Sequence, residues 1–218
     1  MAKRFDLLVF DWDGTLIDSA AHIAAALQQA FRDLALPVPT TAAARHVIGL
    51  GLADAMKYLN PGLGPDRYQE VAARYRVHFL AGDRDVELFP AVAAGIPALH
   101  LEGYLMGIAT GKSRRGLDRS LQATGLAPFF HASRCADEGL PKPHPDMLLM
   151  VMQMLGAMPE RTLLIGDTTH DLQMAQNAGV AAVGVSYGAH MLGDLEGMRP
   201  LGCASSFAEL MQWLKQNG

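Results

Sequence analysis

The sequence predicts an α/β fold, a doubly wound parallel sheet with an all-helical segment inserted after the first strand. Three observations carry that expectation. Short apolar runs recur along the chain, of strand length rather than helix length. After Tyr104 they alternate with helical patterns, as a parallel sheet covered by helices on both faces requires. Between Ile17 and Arg84, by contrast, no run reads as a strand.

In chain order, Phe5–Phe10 is the first strand, apolar throughout and so expected to be buried on both faces. The stretch that follows is rich in Ala, Leu, Gln and Arg at helical spacing. Asp18-Ser19 is placed to cap its first helix and Pro65-Asp66 to open a later one. Punctuation at Pro37–Pro39 and Asn60–Pro65 divides it into several helices. Pro97 falls inside the next expected helix, Ala91–Glu102, where it removes a main-chain donor and should bend or split it. Strands then follow at Tyr104–Ala109, Phe130–Cys135, Thr162–Ile165 and Val180–Val185. Helices are expected at Arg114–Thr124, Pro145–Leu155 and His170–Ala178. Met147, Met150, Met152 and Met154 in the second of these read as core filler. The expected division is a Rossmann-like core of residues 1–16 and 85–218, interrupted by a helical insert at 17–84.

Composition narrows the functional classes. Half of the 218 residues are hydrophobic and 18% are charged, enough for a large core without disulfides. A formal net charge of −4 with scattered Lys and Arg carries no footprint for nucleic acid. No segment has the length of uncharged apolar sequence that a membrane span needs. Asp6 and Asp11 interrupt the stretch that would serve as a signal peptide. Cys135 and Cys203 lack metal-ligand spacing and read as reduced thiols, so a cytoplasmic setting is expected.

The chemistry is expected at strand ends. Asp11-Trp12-Asp13-Gly14-Thr15 follows the first strand directly. Side chains alternate along a strand, so Asp11 and Asp13 share a direction while Trp12 points into packing. Two acids at the carboxyl end of a buried strand lie where open α/β sheets bind ligands. Left alone they repel, which implies a cation, a shared proton or a covalent role.

Three further signals occur in order. Thr110-Gly111-Lys112 ends a strand with a hydroxyl and backbone N–H groups suited to a phosphate oxygen. Lys142 is held between Pro141 and Pro143, which disfavour helix around it. Asp167 ends a strand, and Asp171 either joins it or caps the next helix. Three carboxylates and a phosphate dianion would repel strongly, since one unit pair at ~4 Å is worth ~4 kcal/mol at an effective dielectric of ~20. A hard divalent cation with oxygen ligands relieves this, and Mg²⁺ suits few carboxylates and several waters. Cation, lysine, hydroxyl and oriented N–H groups are what phosphoryl transfer uses.

In this order and at these strand ends, the four motifs resemble those of the haloacid dehalogenase superfamily. The helical insert resembles the cap of its phosphoglycolate-phosphatase-like branch. The resemblance covers essentially the whole chain and implies a Mg²⁺-dependent phosphatase acting on a small phosphorylated metabolite. By position, it makes Asp11 the nucleophile that forms an aspartyl-phosphate and Asp13 the general acid and base. It has Thr110 and Gly111 bind the phosphoryl oxygens, with Lys142 positioning Asp11 and offsetting charge. Asp11, Asp167 and the Asp13 main-chain carbonyl would hold the metal, with Asp171 behind them fixing Lys142. A dehalogenase lacks the second aspartate of the first motif, so Asp13 points away from dehalogenation.

The same two aspartates would serve a phosphomutase of the β-phosphoglucomutase kind. A non-catalytic phospho-acceptor also combines acids, a hydroxyl and a lysine at strand ends, but without a cap or this first motif; a degenerate member used only for binding is a further alternative, against which every required catalytic residue type is present. Substrate choice is expected in the insert, where Arg45, His46, Asp54 and Lys57 flank Gly49 and Gly51; for each, a solvated helix face is the competing reading. Asp18-Ser19 is followed by Ala20-Ala21-His22, where many phosphoglycolate phosphatases carry a proline and an acid. The eight histidines include none at metal-ligand spacing, and structural or exposed roles are expected for His144 and His170. The oligomeric state has no signature in the sequence.

Overall fold

Six parallel strands make the sheet: β1 (Leu7–Phe10), β2 (Leu105–Thr110), β3 (Ala132–Cys135), β4 (Thr162–Gly166), β5 (Ala181–Val185) and β6 (Gly202–Ala204). Their order across the sheet is β3-β2-β1-β4-β5-β6. The computed structural model describes residues 3–82 and 87–218. β1 therefore lies between β2 and β4, with Phe10 in register with Ile108 on one side and Ile165 on the other. The chain steps outward from β1 in both directions, so a crevice opens at the carboxyl ends of these three strands.

The helices are α1 (Ala20–Asp33), α2 (Thr41–His46), α3 (Leu52–Leu59), α4 (Tyr68–Gly82), α5 (Val92–Leu101), α6 (Arg114–Thr124), α7 (Asp146–Leu155), α8 (Thr169–Ala178), α9 (Leu192–Gly197) and α10 (Phe207–Asn217). The alternation of β1 feeds two cores. Leu8 and Phe10 meet Val92, Ile96, Leu117 and Phe207 on one face of the sheet. Leu7 and Val9 meet Met147, Val151, Leu172 and Leu195 on the other. Both faces of the strand are thus apolar, which is why it reads as an unbroken hydrophobic run.

Helices α1 to α4 occupy the stretch after β1, with no strand among its described residues. They enclose a separate cluster that includes Leu27, Phe31, Met56 and Val71. The expected junction at 84/85 lies outside the described residues. A smaller cluster joins this segment to the sheet region, bringing Ile23, Ile48 and Phe79 onto Ala189.

Three expectations need correction. Of the two outcomes expected at Pro97, the split does not occur: α5 runs unbroken from Val92 to Leu101. An interior proline costs ~3 kcal/mol, whereas burying side chains such as Val92, Ile96 and Leu99 contributes ~1.5–3 kcal/mol each. Ser19 stands at the N-cap of α1 but makes no capping hydrogen bond; its hydroxyl turns to Asp13 instead. Of the four methionines on α7 only Met147 and Met152 fill the core, and Met154 faces solvent. The sequence reading also missed β6, a three-residue strand of small side chains without the β-branched signal.

Candidate active site

The register of the sheet assembles the site. The Asp11 N–H donates to the Ile165 carbonyl at 2.9 Å, so Asp11 extends β1 beside the end of β4, where Asp167 follows Gly166. Trp12 is buried in the apolar core, its ring edge-on to Phe130 and its Nε1 donating to Ser120 Oγ. Gly14 lets the turn close on Asp167: its φ is +89°, and an added Cβ would collide with the Asp167 carboxylate. Thr15 Oγ1 and the Ala189 N–H donate to the two oxygens of that carboxylate at 2.8 and 2.7 Å.

Lys142 comes from the loop between β3 and α7 and is fully buried. Its Nζ lies 2.6 Å from Asp11 Oδ1 and 2.5 Å from Asp171 Oδ1. Both readings of Asp171 hold at once. Its Oδ2 completes a capping box with Thr168 at the start of α8, and its Oδ1 grips the lysine.

Oxygens of Asp11, Asp167 and Asp171 cluster within 4.8 Å of one another. Three carboxylates against one ammonium leave the site short of positive charge. Burial accordingly pushes the Asp11 carboxyl up to about 7, with Asp171 and Asp13 adding to the rise and Lys142 opposing it. Burial also raises Asp167 well above the usual carboxylate range, helped by the charges of Asp11 and Asp171. For Lys142 burial acts downward, but Asp11 and Asp171 outweigh it and hold the side chain as an ammonium. Closely spaced, buried oxygen donors with excess negative charge fit a hard divalent cation.

Asp13 stands apart from this cluster. Lys112 Nζ lies 2.8 and 3.0 Å from its two oxygens, and Ser19 Oγ donates to Oδ1 at 2.8 Å. Thr110 is buried at the end of β2, and its hydroxyl accepts from the Lys112 N–H at 3.2 Å. The turn Ile48–Gly51 of the helical segment sits over this floor. Gly49 has φ +90° and touches Gly111 so closely that a Cβ there would lie 3.1 Å from the Gly49 backbone. A lone backbone bridge joins Leu50 to Lys142.

The sequence pattern described as Haloacid dehalogenase-like hydrolase matches residues 8–185, from β1 through β5. The chain belongs to that family. Among its relatives, Probable phosphatase IndB of Dickeya dadantii is 36% identical over 210 residues, covering 94% of this chain and 91% of its own. A phosphoglycolate phosphatase of Salmonella typhimurium is 33% identical over 204 residues, covering 83% of this chain and 81% of its own. Among solved structures, a hydrolase from Pseudomonas syringae superposes with a TM-score of 0.90 at 22% identity, covering 97% of this chain and 98% of its own. This last likeness establishes the fold alone. As a haloacid dehalogenase-like hydrolase the chain is an enzyme of the phosphatase type that its relatives represent.

In this hydrolase the helical segment supplies less side-chain chemistry than its sequence suggests. Asp54 and Lys57 pair with each other at 3.4 Å on an exposed face. Arg45 donates to the Gly188 and Ala189 carbonyls in the loop after β5. His46 joins His170 and His190 in a cluster that the sequence spacing concealed. His190 Nδ1 accepts from the Thr169 N–H, so its Nε2 carries the proton and donates to the His46 carbonyl. His170 Nε2 donates to the same carbonyl at 2.7 Å. His190 thus has no lone pair free for a metal, and the trio fastens the helical segment to the core. Burial keeps His170 and His190 below the ordinary histidine range, as this neutral arrangement needs. His144 is exposed and accepts from the Asp146 N–H.

Sequence reasoning missed Lys112 and Ser19 as neighbours of Asp13. Lys112 follows Thr110-Gly111 directly, a position that could have pointed to it; Ser19 had no comparable signal.

Proposed function

We propose that the protein hydrolyses a small phosphorylated metabolite through an aspartyl-phosphate on Asp11, with Mg²⁺ as cofactor. The observation that carries this reading is the buried Lys142 ammonium clamped between Asp11 and Asp171, with Asp167 alongside. The lysine keeps Asp11 oriented in a site whose excess negative charge calls for a divalent cation. Asp11, Asp167 and the Asp13 main-chain carbonyl would hold that cation, which when bound neutralises the phosphoryl oxygens and offsets the repulsion between acids. Asp171, already occupied by Thr168 and Lys142, supports the lysine from behind.

In the first step the Asp11 carboxylate attacks phosphorus, the bond to the leaving oxygen breaks, and Asp13 gives that oxygen its proton. In the second, Asp13 takes a proton from water as the water attacks the aspartyl-phosphate, releasing inorganic phosphate and restoring Asp11. The Thr110 hydroxyl and the Gly111 N–H hold the phosphoryl oxygens, and Lys142 offsets their charge.

Residues 17–84 would act as a cap over the core formed by 1–16 and 85–218. Its separate apolar cluster and the contact of Gly49 with Gly111 support that division, since such a lid would exclude water during reaction. No helix among the described residues is long and apolar enough to cross a membrane. With Cys135 and Cys203 both free, a cytoplasmic setting suits the reading.

The test is Mg²⁺-dependent phosphate release from phosphoglycolate, sugar phosphates, nucleotides and pyrophosphate. Release that requires the metal and disappears in Asp11→Asn is expected, and the ranking of kcat/KM identifies the substrate. Undiminished release in Asp11→Asn would remove Asp11 from the mechanism.

A further inference from the structure

The side-chain contacts of Lys112, unlike its main-chain N–H on Thr110, serve neither the phosphoryl cradle nor the metal cluster. Its ammonium reaches both oxygens of Asp13, and Ser19 Oγ adds a third donor on Oδ1. The side chains of Lys112 and Asp13 are only 10% and 12% exposed, so the pair is largely withdrawn from water. Withdrawn pairs hold their geometry far better than solvent-screened ones. From the helical segment, the Phe79 ring lies 4.8 Å from the same ammonium, within cation–π range. Phe79 is itself fixed by the cluster joining the segment to the core, and its carbonyl accepts from His22 Nε2–H at 2.8 Å.

We propose that Lys112 is a positioning residue for Asp13, aiming its carboxyl group at the leaving oxygen, and that Phe79 makes this aim depend on the helical segment being seated. The inference rests on the reading of Asp11 as nucleophile and Asp13 as acid and base. A two-oxygen grip removes the rotation about the carboxylate that a single hydrogen bond would leave. Misplacing a reacting group by ~1 Å costs ~10²-fold in rate. A lysine beside the phosphoryl-binding turn thereby acts on the opposite end of the scissile bond.

Leaving groups of different basicity separate this role from a merely structural one. Aryl phosphates depart with little help from an acid, whereas alkyl phosphates need a proton delivered. The value of kcat/KM reports the steps up to departure of the leaving group, before hydrolysis of the aspartyl-phosphate common to all esters. The probes are p-nitrophenyl phosphate and β-glycerol phosphate, in excess Mg²⁺. Lys112→Met is expected to lower kcat/KM for the alkyl ester by ~10²-fold, and for the aryl ester at least ~10-fold less. Lys112→Arg recovers most of the loss. Phe79→Leu, which leaves the ion pair intact, shifts the same ratio in the same direction by about 3-fold, and it carries the test if Lys112→Met fails to fold. Equal losses on the two esters, or an unchanged ratio in Phe79→Leu, would overturn the proposal. Failure of the underlying reading has a different signature, because Asp11→Asn would then retain turnover on both esters.

Discussion

The strand ends and the helical segment contribute to one site by opposite means. The strand ends supply charged side chains, Asp11, Asp13 and Asp167, each placed by the register of a buried parallel sheet. The helical segment supplies mainly backbone and apolar groups: the Gly49 main chain on Gly111, the Leu50 bridge to Lys142, the His46 carbonyl and the Phe79 ring. Of the charged residues flanking Gly49 and Gly51, Asp54 pairs with Lys57 and Arg45 with carbonyls of the opposite loop. Charged groups and the backbone that covers them thus come from different parts of the chain. Side-chain changes should act most strongly in the first and backbone changes in the second.

The largest break in that comparison is Asp11→Asn, for which kcat with any phosphate ester is expected to fall by ~10⁴-fold or more. A steady-state phosphate assay checks this, and a loss under tenfold would return the chemistry to another group.

Next is the metal. Saturating Mg²⁺ at ~100 times its Kd should stabilise the fold by ~2.7 kcal/mol, raising Tm by roughly 5–10 °C. The pH dependence follows from Asp11, whose carboxyl is pushed up to about 7 in the metal-free protein. An acid with a raised pKa binds its proton more tightly folded than unfolded. The metal-free protein therefore gains stability as pH falls from 8 through 7, and loses that contribution as pH rises again. Metal competes with the same proton, so the Mg²⁺-induced rise in Tm should be larger at pH 8 than at pH 6. A rise of equal size at both would mean the cation sits elsewhere.

A smaller effect sharpens the contrast from the other side. Gly49→Ala places a Cβ on a residue at φ +90°, a strain of ~1–2 kcal/mol, although the space beside Thr168 is ordinary. The expected outcome is a roughly tenfold fall in kcat/KM, with thermal stability changed far less than activity if the strain is relieved by lifting the turn. The smallest change is expected for Asp54→Ala and Lys57→Ala. An exposed pair of this kind is worth under ~0.5 kcal/mol on a helix, and turnover should stay as it was. A clear loss of activity there would return the segment's charges to the site.

The same division explains what could be read from the sequence. The sheet, its parallel sense and the strand-end acids were legible because buried strands are continuous apolar runs and acids after them have few structural uses. Lys142 was legible through its prolines. The partners of Asp13 were not, since Ser19 resembles an ordinary helix cap and Lys112 an ordinary turn residue. His190 and His46 lie far apart in the chain, and their meeting follows from packing that no local spacing encodes. Gly49 was visible as a glycine, but the surface it approaches was not. β6 escaped because three small residues carry no periodicity.

The central position of β1 also governs how the enzyme comes into being. Leu7 pairs with Leu105 on one side and Thr162 on the other, so the strand made first is completed by strands made much later. On a ribosome adding ~5–20 residues per second, β1 waits on the order of ten seconds for β4 to emerge. During that interval its apolar edges have no native partner, and the long sequence separations favour slow assembly. A nascent chain stopped short of Asp167 would hold Asp11 but neither of the acids that cluster with it, so the acidic site is completed only late in synthesis.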